Sequence, residues 1–172
     1  PEDYKKSLHN RFLYPYAELD NREQKKVTEF LKTFRPIYEL DERKYSEYYF
    51  GVLNGKKLAK PTFYYDKPVY ILANEKTFSA ASVFVSAFKG IPNIKIAGVT
   101  TDGSSGNSEW FDLPNSKLFG KISTMVSFQK NGKVLDGYGT APDIKIKRDS
   151  NQVLWQSDTQ LDTLESIIRT QN

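Results

Sequence analysis

Apolar positions follow two rhythms along this chain. Val69-Tyr70-Ile71-Leu72-Ala73 and Ile94 to Val99 are short, continuous apolar runs, the pattern of strands buried on both faces. Between them Val83, Phe84, Ala87 and Phe88 recur at helical spacing, in a segment that opens at Ser79 and stops at Gly90, a natural place for a left-handed cap. Residues 68–99 therefore predict a β-α-β unit with a right-handed crossover and parallel pairing. Further on, Glu109–Leu113, Phe119–Gln129 and Val134–Asp136 read as strands, the last two joined by an Asn131-Gly132 turn. Asp143–Ile146 reads as a short edge strand with Pro142-Asp143 fixing its start. Ser157-Asp158-Thr159-Gln160 spells a capping box before a terminal helix that turns Leu161, Leu164, Ile167 and Ile168 inward.

The first third is less regular. Residues 1–20 carry Tyr4, Leu8, Phe12, Leu13, Tyr14 and Tyr16 without a clean period, which predicts irregular structure with a helical turn or two. Asp20-Asn21-Arg22-Glu23 is a capping box, and Val27, Phe30, Leu31 and Phe34 follow at helical spacing. That helix should end at or before Arg35, because Pro36 disfavours helical geometry in the residue before it. Residues 45–53 read as extended, Asn54-Gly55 as a hairpin turn, and 58–66 as a loop.

Composition narrows the classes. A chain of 172 residues with 38% hydrophobic and 14% aromatic content suffices for one core, or for a large piece of a bigger domain. No stretch approaches the ~20 apolar residues of a membrane span. The net charge of +4 arises from 25 scattered basic residues against 21 acidic ones, an ordinary solvated surface that gives no support to nucleic-acid binding. The absence of cysteine excludes disulfides, thiolate metal sites and a cysteine nucleophile. Asp102 and Glu109 stand isolated, with no second ligand at metal spacing, so neither metal nor cofactor is expected.

Thr77-Phe78-Ser79-Ala80-Ala81 carries the chemistry worth weighing. A serine where a buried strand hands over to a helix has backbone N–H groups beside it and a positive helix end behind it, a setting that suits a nucleophile forming an oxyanion. On position alone a helix N-cap is the commoner role of such a serine, and one role does not exclude the other. Ser82 reads as a helix-face residue, and Ser86-Ala-Phe-Lys89 matches S-x-x-K only by chance, inside a helix. His9, the single histidine, lies in the irregular leading segment and reads as a surface or packing residue. The polar loop Thr100 to Asn107 lacks a P-loop lysine and precedes a strand, which suits an active-site rim or a plain surface loop better than a phosphate cradle.

Four fragments stand in order: Pro68-Val-Tyr-Ile-Leu-Ala-Asn74, Thr77-Phe-Ser-Ala-Ala81, Gly98-Val-Thr-Thr-Asp-Gly103 and Gly139-Thr-Ala-Pro-Asp-Ile144. Over roughly residues 68–168 they resemble the C-terminal-processing (tail-specific) and tricorn-core family of serine proteases. In that family a strand leads to T-x-S-A with the serine as nucleophile, a G-x-x-T-x-G turn follows the next strand, and G-x-G-x-x-P-D closes the core. The resemblance implies an α/β fold of the crotonase/ClpP-like type, a β-β-α superhelix with a mixed sheet and outer helices. It implies a serine endopeptidase acting on polypeptides, with Ser79 as nucleophile and the Ala80 N–H as one oxyanion donor.

Family members also carry an upstream D-L-R-x-N-x-G-G turn, which provides the second oxyanion donor, and usually a PDZ module. Residues 1–67 contain neither, so the chain is expected to be the C-terminal portion of a protease catalytic domain. Residues 1–67 would be a leading helical and hairpin segment, and 68–172 the core with the nucleophile. Where processing proteases place a catalytic lysine this chain has Ser104, which argues against a Ser/Lys dyad. The tricorn-like branch uses an upstream histidine oriented through an acid, and Asp136 is similar in placement to that acid. The general base is then expected outside these residues, and the isolated piece should be a poor catalyst. Family habit implies an extracytoplasmic bacterial location: periplasmic, cell-surface or secreted. The alternatives are a catalytically silent peptide-binding or scaffolding relative, supported by the missing lysine, and a crotonase-like acyl-thioester enzyme, against which the serine motif and Gly139–Ile144 argue.

Overall fold

The computed structural model describes residues 2–37, 39–53 and 65–171. The chain divides into two compact units, Pro1–Tyr64 and Tyr65–Asn172. In the first, helix α1 (Glu2–His9) leads to a short strand β1 (Tyr14–Pro15), which pairs antiparallel with β2 (Tyr49–Phe50). Helix α2 (Asn21–Thr33) begins at the expected capping box. The Asp20 carboxylate accepts the N–H groups of Arg22 and Glu23, and Glu23 Oε2 accepts the Asp20 N–H at 3.1 Å. The helix stops at Thr33, ahead of Pro36. Val27 is buried but Leu31 is not, so the apolar face is narrower than the spacing suggests. The leading segment is more helical than expected, and the extended stretch at 45–53 narrows to two paired residues. The Asn54-Gly55 turn and most of the 58–66 loop lie outside the described residues.

The second unit is built on a three-stranded parallel sheet in the order β3 (Val69–Ala73), β4 (Ile94–Gly98), β7 (Ile144–Lys145). Helix α3 (Ala80–Phe88) forms the crossover between β3 and β4, as the apolar rhythm requires. Side chains alternate cleanly along the strands. On one face Ala73 and Ile96 pack on Val85 of α3, with Ile71 and Ile94 beside them. On the other, Ala97, Ile146, Tyr70 and Leu72 pack with Leu164 of α5 (Thr159–Gln171). The core is therefore a sheet with a helix on either side, the way a parallel sheet shields both faces from water. The fold is mixed α/β with outer helices.

Two helix faces differ from the periodic reading. In α3 the buried positions are Ser82 and Val85, whereas Val83 and Phe84 are exposed. Ser82 turns inward because it finds a polar partner there, and the Phe84 and Phe88 rings pack on each other at 4.6 Å instead. In α5 Leu161 is exposed, while Leu164, Ile167 and Ile168 face the sheet. The helix starts one residue later than the Ser157 capping box predicts. Asp158 accepts the Leu161 N–H, and Gln160, rather than reaching back, is buried and donates to the Ile146 carbonyl at 2.7 Å. A short helix α4 (Ser150–Val153), not anticipated from the pattern, precedes it, capped by Asp149.

Strands β5 (Ser108–Leu113) and β6 (Leu118–Ser123) form an antiparallel hairpin. β6 ends six residues sooner than the apolar run predicts. The Ser127 N–H turns to the Asp136 carboxylate instead of a strand, and only a Phe128–Val134 bridge continues the pairing around the Asn131-Gly132 turn. Asp143 starts β7 by accepting the Ile96 N–H at 2.8 Å and donating its own N–H to the Ile96 carbonyl at 2.7 Å. Among the described residues no helix is long and apolar enough to cross a membrane.

Candidate active site

Ser79 ends the link between β3 and α3 with φ 53° and ψ −129°. An L-residue held at positive φ is strained by about 1–3 kcal/mol and persists only where its surroundings enforce it. A serine on such a strand-to-helix elbow has its hydroxyl pushed out at the top of the sheet. Ser79 is exposed and its hydroxyl caps no helix N–H, so the simple N-cap alternative does not describe it. The next residue, Ala80, opens the helix, and its N–H meets no acceptor among the described residues. An exposed hydroxyl thus stands beside an unused backbone donor at the positive end of a helix dipole.

The turn is tied to the loop that follows β4. Asn74 and Thr77 close the strand end, Asn74 N–H to Thr77 Oγ1 at 3.0 Å and Thr77 N–H to the Asn74 carbonyl at 2.9 Å. The Thr77 carbonyl accepts the Asp102 N–H at 3.2 Å. Asp102 Oδ1 accepts both the N–H and the hydroxyl of Ser104, each at 2.8 Å. The Ser104 oxygen in turn accepts the Ser79 N–H at 2.9 Å.

Asp136 meets the same loop one residue on. Its Oδ1 accepts the Ser105 hydroxyl at 2.6 Å, and its Oδ2 accepts the Ser127 N–H at 2.6 Å. The dipeptide Ser104-Ser105 therefore joins the Ser79 turn to Asp136. The pairing is close because two glycines permit it. Gly103 and Gly139 both have positive φ, and a Cβ on Gly139 would fall on the Thr101 carbonyl. Beneath the loop runs a buried polar row. Ser82 meets Thr101, Thr101 Oγ1 accepts the Thr140 N–H at 2.9 Å, and Thr140 donates to Gln129, whose amide donates to the Gly139 carbonyl at 3.0 Å.

These hydroxyls were not evident in the sequence. Ser82, Ser105, Thr101 and Thr140 are linked to partners far away along the chain, which no local spacing reports. The available signals were the density of Ser and Thr in residues 100–107, which holds Thr101 and Ser105, and the place of Thr101 and Thr140 within two of the ordered fragments. His9 lies in the first unit, 2.9 Å from Glu18 Oε2 and stacked on Tyr14. Among the described residues no three His, Cys, Asp or Glu side chains gather as metal ligands would.

At the far end of α3 the electrostatics are also ordered. Lys130 Nζ donates to the Ala87 carbonyl at 2.7 Å, and Lys89 pairs with Asp143 at 2.5 Å, both placing positive charge at the negative helix end. Burial raises the Asp143 pKa, but the Lys89 bond, the Ile96 N–H and the charges of Lys89 and Lys95 outweigh it. The carboxyl is held below its ordinary value.

A strained serine elbow, a free N–H at the helix start and an acid linked through one loop are features of a hydrolase site. The sequence profile described as Peptidase family S41 matches residues 16–146. The chain belongs to that family, the serine-type peptidases that include the tail-specific and tricorn-related proteases. Among curated proteins none matches the chain. Solved structures are similar in fold. A candidate peptidase from Parabacteroides merdae ATCC 43184 aligns with TM-score 0.51 and 23% identity, over 60% of this chain and 32% of that one. Mature CPAF, complexed with lactacystin, aligns with TM-score 0.50 and 23% identity, over 62% of this chain and 20% of that one. The chain thus spans a third or less of the length of either structure.

Proposed function

We propose that this protein is a serine endopeptidase acting on polypeptides, with Ser79 as its nucleophile. The observation that carries the reading is the conformation of Ser79, positive in φ and exposed at the start of α3 with no capping bond to satisfy. Backbone strain of this kind clusters at active sites. Of the non-glycine residues at positive φ among the described residues, Phe12, Ser79, Lys117 and Trp155, Ser79 is the one that brings a hydroxyl to a helix start. Ser79 Oγ would attack the scissile carbonyl as its proton passes to a base, and the oxyanion would take the Ala80 N–H. Collapse would break the C–N bond, release the protonated amine and leave an acyl-enzyme for water to hydrolyse.

The base is assigned outside this chain. Ser104 stands in the slot of the processing-protease lysine, and its hydroxyl proton is committed to Asp102. Asp136 would orient a histidine supplied by an upstream part of the protein, together with a Gly-Gly turn for the second oxyanion donor and a PDZ module. Each Asp136 oxygen already accepts one bond and retains a second lone pair for that purpose. The single β-α-β turn around α3 is compatible with one turn of a crotonase/ClpP-like superhelix. An extracytoplasmic location follows from family habit. The test is labelling of the full-length protein with a fluorophosphonate probe. Modification of Ser79 supports the reading, and no modification of a folded protein sinks it, leaving the silent binding relative.

A further inference from the structure

We propose that Ser104 is a positioning residue, which holds Ser79 in its left-handed conformation by accepting the Ser79 N–H. This rests on Ser79 being the nucleophile. The reasoning starts from what could relax the strain. Ser79 would leave positive φ most directly by rotation of the Phe78–Ser79 peptide, and the N–H of that peptide is the group Ser104 Oγ holds at 2.9 Å. The other backbone polar group of Ser79, its carbonyl, accepts the Val83 N–H at 3.1 Å as the first bond of α3. The peptide unit before Ser79 and the one after it are thereby fixed from opposite sides.

Ser104 is itself immobilised. Its N–H and its hydroxyl both donate to Asp102 Oδ1, so its lone pairs are left facing the Ser79 amide. The bond to a carboxylate polarises the hydroxyl oxygen and strengthens it as an acceptor. Asp102 is anchored by its N–H to the Thr77 carbonyl, two residues before Ser79. The circuit Thr77–Asp102–Ser104–Ser79 closes on the elbow itself. A lysine ammonium in the position of Ser104 has no lone pair with which to accept this N–H, whereas the serine hydroxyl does accept it, so the residue that departs from the processing-protease pattern does a different task here.

The experiment compares Ser104→Ala, Ser104→Thr and Asp102→Asn in the full-length protein, reading the rate of fluorophosphonate labelling, kcat and KM on an unfolded polypeptide, and the melting temperature. Ser104→Ala should slow labelling and kcat by about tenfold, the worth of one such hydrogen bond, with KM unchanged. Ser104→Thr, which keeps the hydroxyl, should restore both. Labelling and kcat equal to wild type in Ser104→Ala overturn the proposal, as does a loss that Ser104→Thr does not recover. Should Ser104→Ala fail to fold, Asp102→Asn takes its place, with slowed labelling at unchanged KM as the supporting result and wild-type labelling as the overturning one. A wild-type protein that is folded yet never labelled would remove the nucleophile reading first, and this proposal with it.

Discussion

The Ser82 hydroxyl lies 3.1 Å from that of Thr101, joining α3 to the loop after β4 where no solvent reaches Ser82. Thr101 Oγ1 also accepts the Thr140 N–H, so one hydroxyl serves two otherwise orphaned buried groups. Thr101→Val keeps the shape and removes both bonds. It should cost about 2–4 kcal/mol, one to two buried polar groups left unpaired. Urea unfolding of the variant measures this, and a loss under about 0.5 kcal/mol would show that the row is not a structural tie.

Ser79→Gly separates strain from function. Glycine adopts positive φ without a Cβ penalty, so the substitution should raise stability by about 1 kcal/mol while removing the nucleophile. Thermal unfolding and probe labelling of the same sample read the two effects. A variant less stable than wild type would mean that the Ser79 side chain stabilises the turn it strains.

Asp136→Asn retains the volume and loses the charge. In the full-length protein kcat should fall about a hundredfold or more if Asp136 orients the base. The amide oxygen can still accept the Ser127 N–H while its NH2 turns to the Ser105 hydroxyl, so two charge-assisted bonds become neutral ones, at a cost of about 1 kcal/mol of stability. Turnover measured well below the melting transition distinguishes the two effects, and unchanged turnover removes Asp136 from the site.

The pH dependence of stability should carry the signature of Asp143. Its carboxyl is held below the ordinary 3.8, so its contribution is complete above that value and is lost as pH falls through the lower, native one. Asp143→Asn should therefore cost less than about 1 kcal/mol at neutral pH, since the Lys89 pair is partly exposed, and flatten the acid limb below about pH 4. Urea midpoints from pH 6 to pH 3 test this. Parallel decline of variant and wild type would assign the acid sensitivity to other groups.

Local chemistry was legible in the sequence wherever neighbours in the chain are also neighbours in space. The Asp20 capping box, the β-α-β unit of residues 68–99 and the Asn131-Gly132 turn depend on contacts a few residues apart or on strict periodicity, and each is present in the structure. The four ordered motifs likewise pointed to the peptidase family that the profile match shows. Tertiary structure alone decided which face of α3 turns inward, because the partner of Ser82 is Thr101, nineteen residues away. It also decided the left-handed Ser79 and the bond from its N–H to Ser104, twenty-five residues on. A backbone dihedral and a long-range hydrogen bond are set by the cost of leaving buried or strained groups unpaired in the assembled fold, and that cost has no counterpart in the spacing of residue types.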